Sequence, residues 1–221
     1  MSGRRFQKLA NEEYYHVFNR SIQKEEILKS NKFLKRTLDL FEFYSFPQKL
    51  RFSYFKRLTL ELQNEYLKQL EKLTPFVEIY AFSLMPNHYH ILLKQLQDKG
   101  IEKFVSHFQN SLAKYFNKLK DRNGPVFQCP FKAKHISTDA EFLHVSRYIH
   151  LNPVTSSIID IEELDTYPWT SFPLYLNKKK ELINTELILK ICGSPSKYLS
   201  FVKNRVDYQK RLNKIKHLMI D

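Results

Sequence analysis

The chain has 221 residues, of which 43% are hydrophobic and 14% aromatic, a composition that supports a folded core and excludes wholesale disorder. Its 36 Lys and Arg residues against 23 Asp and Glu residues give a net charge of +13, which favours a polyanionic partner, with nucleic acid as the first candidate. Only 4 glycines are present, and the phosphate-binding motifs G-x-G-x-x-G and G-x-x-x-x-G-K are absent.

The sequence gives no sign of export or of membrane insertion. No apolar run approaches the length of a membrane span, and the N-terminal residues lack the apolar stretch of a signal peptide. Cys129 and Cys192 lie far apart without C-x-x-C spacing, which argues against a disulfide framework and against a thiolate zinc site. We therefore expect a cytoplasmic protein that does not contact membranes.

The first third of the chain predicts one strand followed by helices. Aromatic and β-branched residues over 14–20 indicate a strand. Apolar residues at helical spacing over 29–44 predict a helix with Ser30 as its N-cap, and Pro47 ends it. Residues 48–73 are charge-rich, and we interpret them as further helix with a solvated face.

Residues 80–93 predict two strands joined by a Met-Pro-Asn turn, and the rest of the chain is organised around them. Because side chains alternate along a strand, His88 and His90 point the same way and Tyr89 points the opposite way. Two imidazoles on one face can share a metal ion. The apolar residues around them predict that the pair lies on a buried, rigid strand.

The remaining elements complete an α+β pattern. A long amphipathic helix is predicted from Ile101 to Leu119, and a strand from 126 to 136 in which Pro130 indicates an edge position or a bulge. Another helix is predicted over 141–151, ending where Asn152 meets Pro153, and two further helices follow the turn-rich segment 155–176. This order of elements is typical of helices packed on an antiparallel sheet.

Tyr148 and Asn152 lie one helical turn apart beside the apolar stripe of the helix over 141–151, so both can face a common point. A tyrosine beside a metal-bound phosphodiester can attack phosphorus and form a phosphotyrosine ester. Each feature also has a plain structural interpretation: H-x-H occurs by chance, a helical tyrosine is usually structural, and Asn before Pro ends a helix. The hypothesis rests on their occurrence together in a basic chain.

Taken together, these residues resemble a known family. The chain is similar to the single-strand DNA transposases that have an HUH motif and one catalytic tyrosine, and most similar to their branch of REP-associated tyrosine transposases. The resemblance spans about residues 14–176, and its motifs keep the order and spacing of that family. It is carried by residues 15–20, 85–93, 127–128, 148–154 and 167–171.

The resemblance implies a ferredoxin-like antiparallel sheet with helices packed on one face. It implies that His88 and His90 bind a divalent metal, Mg²⁺ or Mn²⁺, and that Asn152 occupies the position of a polar third ligand. Tyr148 would be the nucleophile that forms a 5′-phosphotyrosine link and releases a 3′-hydroxyl. Some relatives are homodimers that place the tyrosine helix against the partner's histidines, and others act as monomers.

The resemblance also divides the chain. We expect an HUH tyrosine transposase-like catalytic domain over 1–176, with a helical insertion at about 45–73, and a basic helical extension over 177–221. Relatives often follow Asn-Pro-Val with Arg-Ala-Gly, whereas Thr-Ser-Ser stands at 155–157 here. These departures leave the DNA sequence or hairpin that is recognised unassigned.

Three functions compete. The first is a metal-dependent, tyrosine-using nickase and strand transferase, that is, a transposase acting on single-stranded or hairpin DNA. The second is a nucleic-acid-binding protein that retains the fold without the chemistry, and the third is a metallohydrolase that uses water. DNA contacts are expected to be directed at phosphates and to be salt-sensitive. The candidates, near strand ends and on the tyrosine helix, are Arg20, Lys132, Lys134 and Arg147.

Overall fold

A computed structural model describes residues 8–177 and 182–204 of the chain. Within these ranges four strands and eight α-helices are formed, with short 3-10 turns between some of them. In chain order they are β1 (Tyr14–Arg20), α1 (Asn31–Tyr44), α2 (Phe52–Phe55), α3 (Leu60–Leu70), β2 (Val77–Met85), β3 (His88–Gln95), α4 (Gly100–Leu119), β4 (Lys132–Ile136), α5 (Asp139–Thr155), α6 (Phe172–Asn177), α7 (Glu186–Cys192) and α8 (Pro195–Lys203).

The strands form one antiparallel sheet in the order β2-β3-β1-β4. With α1 between β1 and β2 and α4 between β3 and β4, this is the βαββαβ arrangement of a ferredoxin-like sheet. The predicted α+β class and antiparallel sheet are therefore confirmed. The order also places β3, which carries both histidines, next to β1 in the middle of the sheet.

Helices α1 and α4 cover one face of the sheet, as predicted. Phe41 of α1 contacts the rings of Phe82 on β2 and Phe108 on α4, and Phe108 in turn contacts Tyr89 on β3. All four side chains are 2% exposed or less. Close packing of large aromatic side chains on this face forms the main core of the protein.

Helix α5 packs on the opposite face, which the prediction of helices on one face did not include. Its Phe142 makes edge contacts with Tyr14 on β1 and Tyr80 on β2, at centroid distances of 5.0 and 5.2 Å. The physical reason is that α5 follows β4 directly and carries its own apolar side chains, while α1 and α4 already fill the first face. This second helical layer lies over the histidines.

Helix α5 continues through Asn152 and Pro153 to Thr155, so the predicted helix end at Asn152–Pro153 is wrong. Proline disfavours a helical conformation at the preceding residue without forbidding it. Pro153 and Val154 are buried, and the Ser156 N–H donates to the Asn152 carbonyl at 3.0 Å. Burial of this final turn outweighs the proline penalty, and Asn152 becomes a helical residue.

The region between α1 and β2 is helical in part, as expected: α2 packs on α1 through Phe43, Phe52 and Phe55. At the other end, α8 packs on α5 through Tyr198, which is fully buried. The basic residues predicted for the tail beyond 204 lie outside the described residues. None of the described helices is long and apolar enough to cross a membrane.

Candidate active site

His88 and His90 lie on the face of β3 that α5 covers. They are paired in the sheet with Arg20 and Phe18 of β1, and their ring centroids are 5.2 Å apart. His90 is 7% exposed and His88 is half-buried, while Tyr89 is fully buried on the opposite face. The predicted orientation and the buried strand are therefore present in the structure.

The Nδ1 atom of each imidazole has a hydrogen-bond partner within the protein. The His88 Nδ1–H donates to the Asn87 Oδ1 at 2.6 Å, and the His90 Nδ1 lies 2.9 Å from the Nε2 of His16 on β1. Because Nδ1 and Nε2 lie on opposite sides of the ring, these contacts direct each Nε2 away from its Nδ1 partner. Each imidazole held in this way has its Nε2 left to offer to a ligand.

Burial keeps these imidazoles neutral. It lowers the pKa of His88 to about 4, with a smaller contribution from the charge of Arg20. Burial lowers the pKa of His16 to about 4 as well, assisted by Lys134, and it holds the pKa of His90 well below its usual value. Neutral imidazole is the form that binds metal ions, so the site is in its ligand form at neutral pH.

The structure brings Tyr148 to the histidines of its own chain. The half-buried Tyr148 ring stands perpendicular to the ring of His90, with centroids 5.6 Å apart, and lies 5.9 Å from the ring of His16. It reaches this position because Phe142 anchors α5 on the sheet nearly two turns earlier. The two parts of the predicted site are thus adjacent.

Asn152 lies one turn beyond Tyr148. Since α5 passes from Tyr80 toward His90, its continuation carries Asn152 toward the end of β3 where His88 stands. Asn152 is 4% exposed, and its Nδ2 is buried without a hydrogen-bond partner. A buried amide with an unsatisfied donor costs free energy unless a ligand or water satisfies it, so this side chain suits a binding site better than a core.

The donor set fits a divalent cation that keeps part of its shell for substrate. Two neutral imidazoles and one amide oxygen would fill three coordination positions of the cation and leave the others to water and phosphate oxygens. Among the described residues, no group of three or more His, Cys, Asp or Glu side chains is arranged to hold a metal. The candidate ligands remain His88, His90 and the amide oxygen of Asn152.

Three of the four basic candidates border the site. Arg20 is paired with His88 in the sheet, and Lys132 and Lys134 on β4 share the site face and are exposed. The Lys134 Nζ is bonded to Glu141 at 3.0 Å. Arg147 is directed elsewhere, because its guanidinium stacks on Phe201 of α8 and bonds to the Phe201 carbonyl.

Sequence reasoning missed His16. Its ring lies against His90 and Tyr148 together and is 8% exposed. The sequence did carry a signal for it. His16, Phe18 and Arg20 are every second residue of the first strand, so they share one face, and antiparallel pairing of that strand with β3 makes this the face of His88 and His90.

Comparison with protein families gives one match: residues 44–152 match the family described as transposase, IS200-like. The match ends at Asn152 and includes both histidines and Tyr148. Over these residues the chain is similar to the IS200-like transposases. Comparison with curated proteins finds no match.

A solved structure shares the fold of this chain. It is described as a REP-associated tyrosine transposase bound to a REP hairpin. It superposes with a TM-score of 0.50 at 15% sequence identity, covering 84% of this chain and 90% of the other. The likeness supports the α+β architecture, with its four-stranded antiparallel sheet and surrounding helices.

Proposed function

We propose that this transposase relative is a metal-dependent nickase and strand transferase that acts on single-stranded, hairpin-containing DNA. The Tyr148 Oη forms a bond to a backbone phosphorus, and the bond between that phosphorus and the 3′ oxygen of the preceding nucleotide breaks. Tyr148 loses its phenolic proton and the departing oxygen gains one. The products are a 3′-hydroxyl end and a 5′-phosphotyrosine link, and attack by another 3′-hydroxyl reverses these changes and joins two strands.

His88, His90 and Asn152 would hold the cation, Mg²⁺ or Mn²⁺. When bound, it supplies polarisation of the phosphate and stabilisation of the negative charge on the departing oxygen. The residues of the chain supply position: β3 holds the imidazoles on a rigid strand, and α5 holds the phenol. Arg20 and Lys132 line the same face and are suited to contact the phosphates on either side.

One observation carries the proposal: the Tyr148 ring lies 5.6 Å from the His90 ring in the same chain. This contact places the tyrosine beside an imidazole whose Nδ1 is held by His16. The family match and the +13 charge support a DNA substrate. Hairpin DNA is chosen because the solved structure with this fold is described as bound to a REP hairpin. A cytoplasmic location is part of the same proposal.

The proposal is tested by incubating the full chain with labelled single-stranded hairpin DNA and Mn²⁺ and separating covalent adducts on a denaturing gel. The wild-type protein should form an adduct that Tyr148→Phe lowers by at least about 10³-fold, since the attacking oxygen is removed. Tyr54→Phe is the matched control, because Tyr54 is 50% exposed on α2, and it should form the adduct as the wild type does.

Other outcomes would identify the competing functions. Cleaved DNA without an adduct would identify a hydrolase that uses water. Tight DNA binding without cleavage, unchanged by Tyr148→Phe, would identify a binding protein that retains only the fold.

The proximity of Tyr148 to the histidines of its own chain supports a site formed within one subunit. Mixing His88→Ala protein with Tyr148→Phe protein should therefore restore no adduct formation above that of either variant alone. Restored activity would show that the site is shared between two subunits of a homodimer.

A further inference from the structure

His16 forms a contact that the proposed chemistry does not use directly. It lies on β1, beside the strand of the two histidines, with its Nε2 2.9 Å from the His90 Nδ1. Its ring lies beside that of His90, with centroids 5.0 Å apart and an interplanar angle of 27°, and Phe18 contacts both rings. The Tyr148 ring meets its edge. His16 therefore touches both parts of the candidate site.

The contact between two imidazole nitrogens constrains their protons. A neutral imidazole carries one N–H and one lone pair, so one ring donates and the other accepts. If the His16 Nε2 donated, the His90 proton would sit on Nε2 and that nitrogen could not bind a metal. If the His90 Nδ1–H donates instead, the His90 Nε2 keeps its lone pair for the ion.

The neighbouring histidine favours the second arrangement. The His88 Nδ1–H donates to the Asn87 Oδ1, which leaves the His88 Nε2 as the nitrogen with a lone pair. If the His16 Nε2 is the equivalent acceptor for the His90 Nδ1–H, both rings have the same tautomer. In both cases the protein partner lies at Nδ1, on the ring side opposite Nε2.

We propose that His16 is a positioning residue whose Nε2 accepts the His90 Nδ1–H, and thereby holds the His90 Nε2 toward the metal and toward Tyr148. This proposal rests on the proposed function only in taking a divalent metal ion as the ligand of the His90 Nε2. The hydrogen bond and the tautomer are properties of the metal-free protein. Metal-binding histidines commonly donate their second N–H to such an acceptor, whose loss weakens metal affinity by about 10–100-fold.

Three variants of the full chain separate the roles of acceptor and ring. His16→Gln places an amide oxygen within reach of the His90 Nδ1 and keeps an acceptor, whereas His16→Phe keeps a ring without one. His135→Gln is the matched control, because His135 lies on β4 on the opposite face of the sheet, paired with Tyr15. Thermal unfolding of each variant establishes that it is folded.

The first measurement is the tautomer of His90 in metal-free protein, read from long-range ¹H–¹⁵N imidazole spectra and assigned with His90→Ala. Wild-type protein, His16→Gln and His135→Gln should show the proton on Nδ1, and His16→Phe should lose this preference. A wild-type His90 with its proton on Nε2 would overturn the proposal.

The second measurement is Mn²⁺ affinity by calorimetry without DNA. His16→Phe should raise the dissociation constant about 10–100-fold, and His16→Gln should stay within about threefold of the wild type. Equal affinity of His16→Phe and the wild type would overturn the positioning role. A wild type that binds no Mn²⁺ would instead count against the proposed function, and the tautomer of His90 would still decide the role of His16.

Discussion

The two faces of the sheet differ in what their side chains do, although both come from the same strands. On the face under α1 and α4, Phe82, Tyr89 and Phe108 interlock and are almost completely excluded from water. On the face under α5, His16 and His90 are also buried, but they meet through ring nitrogens. Alternate residues of one strand thus build a core on one side and the candidate site on the other.

Burial on the two faces has opposite consequences for chemistry. Burial of an aromatic ring stabilises the fold, and nothing further is required of that ring. Burial of an imidazole costs solvation and lowers its pKa, which keeps it neutral and available as a ligand. Substitutions on the first face should therefore lower stability, and substitutions on the second should lower function.

The largest effect on stability is expected on the α1–α4 face. Phe108→Ala removes a fully buried ring that contacts Phe41, Tyr89 and Phe104, and should lower the free energy of unfolding by about 3–5 kcal/mol. Leu119→Ala on the same helix is the control, because Leu119 is 51% exposed and its loss should cost no more than about 0.5 kcal/mol. Urea unfolding measures both. A Phe108→Ala cost as small as that of Leu119→Ala would remove the distinction between the faces.

The largest effect on activity is expected on the other face. His90→Ala should abolish detectable Mn²⁺ binding and lower adduct formation by at least about 100-fold, because one ligand of the proposed ion is lost. Calorimetry and the denaturing gel provide the two measurements. His135→Gln should leave both unchanged. If His90→Ala lowered the free energy of unfolding as much as Phe108→Ala does, the assignment of stability to one face and function to the other would be wrong.

An intermediate effect is expected where α5 meets α8. The buried Tyr198 hydroxyl lies 2.8 Å from the Ser146 Oγ and 2.9 Å from the His150 Nδ1. Tyr198→Phe leaves these buried groups without that partner and should lower the free energy of unfolding by about 1–3 kcal/mol. Tyr54→Phe, which removes an exposed hydroxyl, is the control in the same urea experiment. Equal stability of both variants would show that the buried hydroxyl is dispensable.

The smallest effect is expected at the rim of the site face. Lys132 is exposed beside the site, so Lys132→Ala should weaken DNA binding a few-fold and reduce the slope of log affinity against log salt by about one. Lys68→Ala on α3, also exposed, should change neither. Binding measured by fluorescence anisotropy over a salt series distinguishes them. An unchanged slope for Lys132→Ala would show that Lys132 contacts no DNA phosphate.

Much of the site could be predicted because strand geometry is local. The same-face orientation of His88 and His90 follows from a period of two, and the helical row of Tyr148 and Asn152 follows from a period of 3.6. The end of α5 could not be predicted, because burial of Pro153 and Val154 depends on distant residues. The direction of Arg147 toward Phe201 likewise depends on where α8 packs.

The sequence by itself determined the class of fold, the strand that carries the two histidines, and the residue types available for the proposed chemistry. Alternation and helical periodicity are properties of neighbouring residues, so they can be read without a fold. Only the tertiary structure decided that α5 lies on the histidine face, that Tyr148 meets His90 of its own chain, and that His16 occupies the Nδ1 side of that ring. These are contacts between residues about 60 to 130 positions apart, and they exist only once the sheet is assembled and α5 is packed on it.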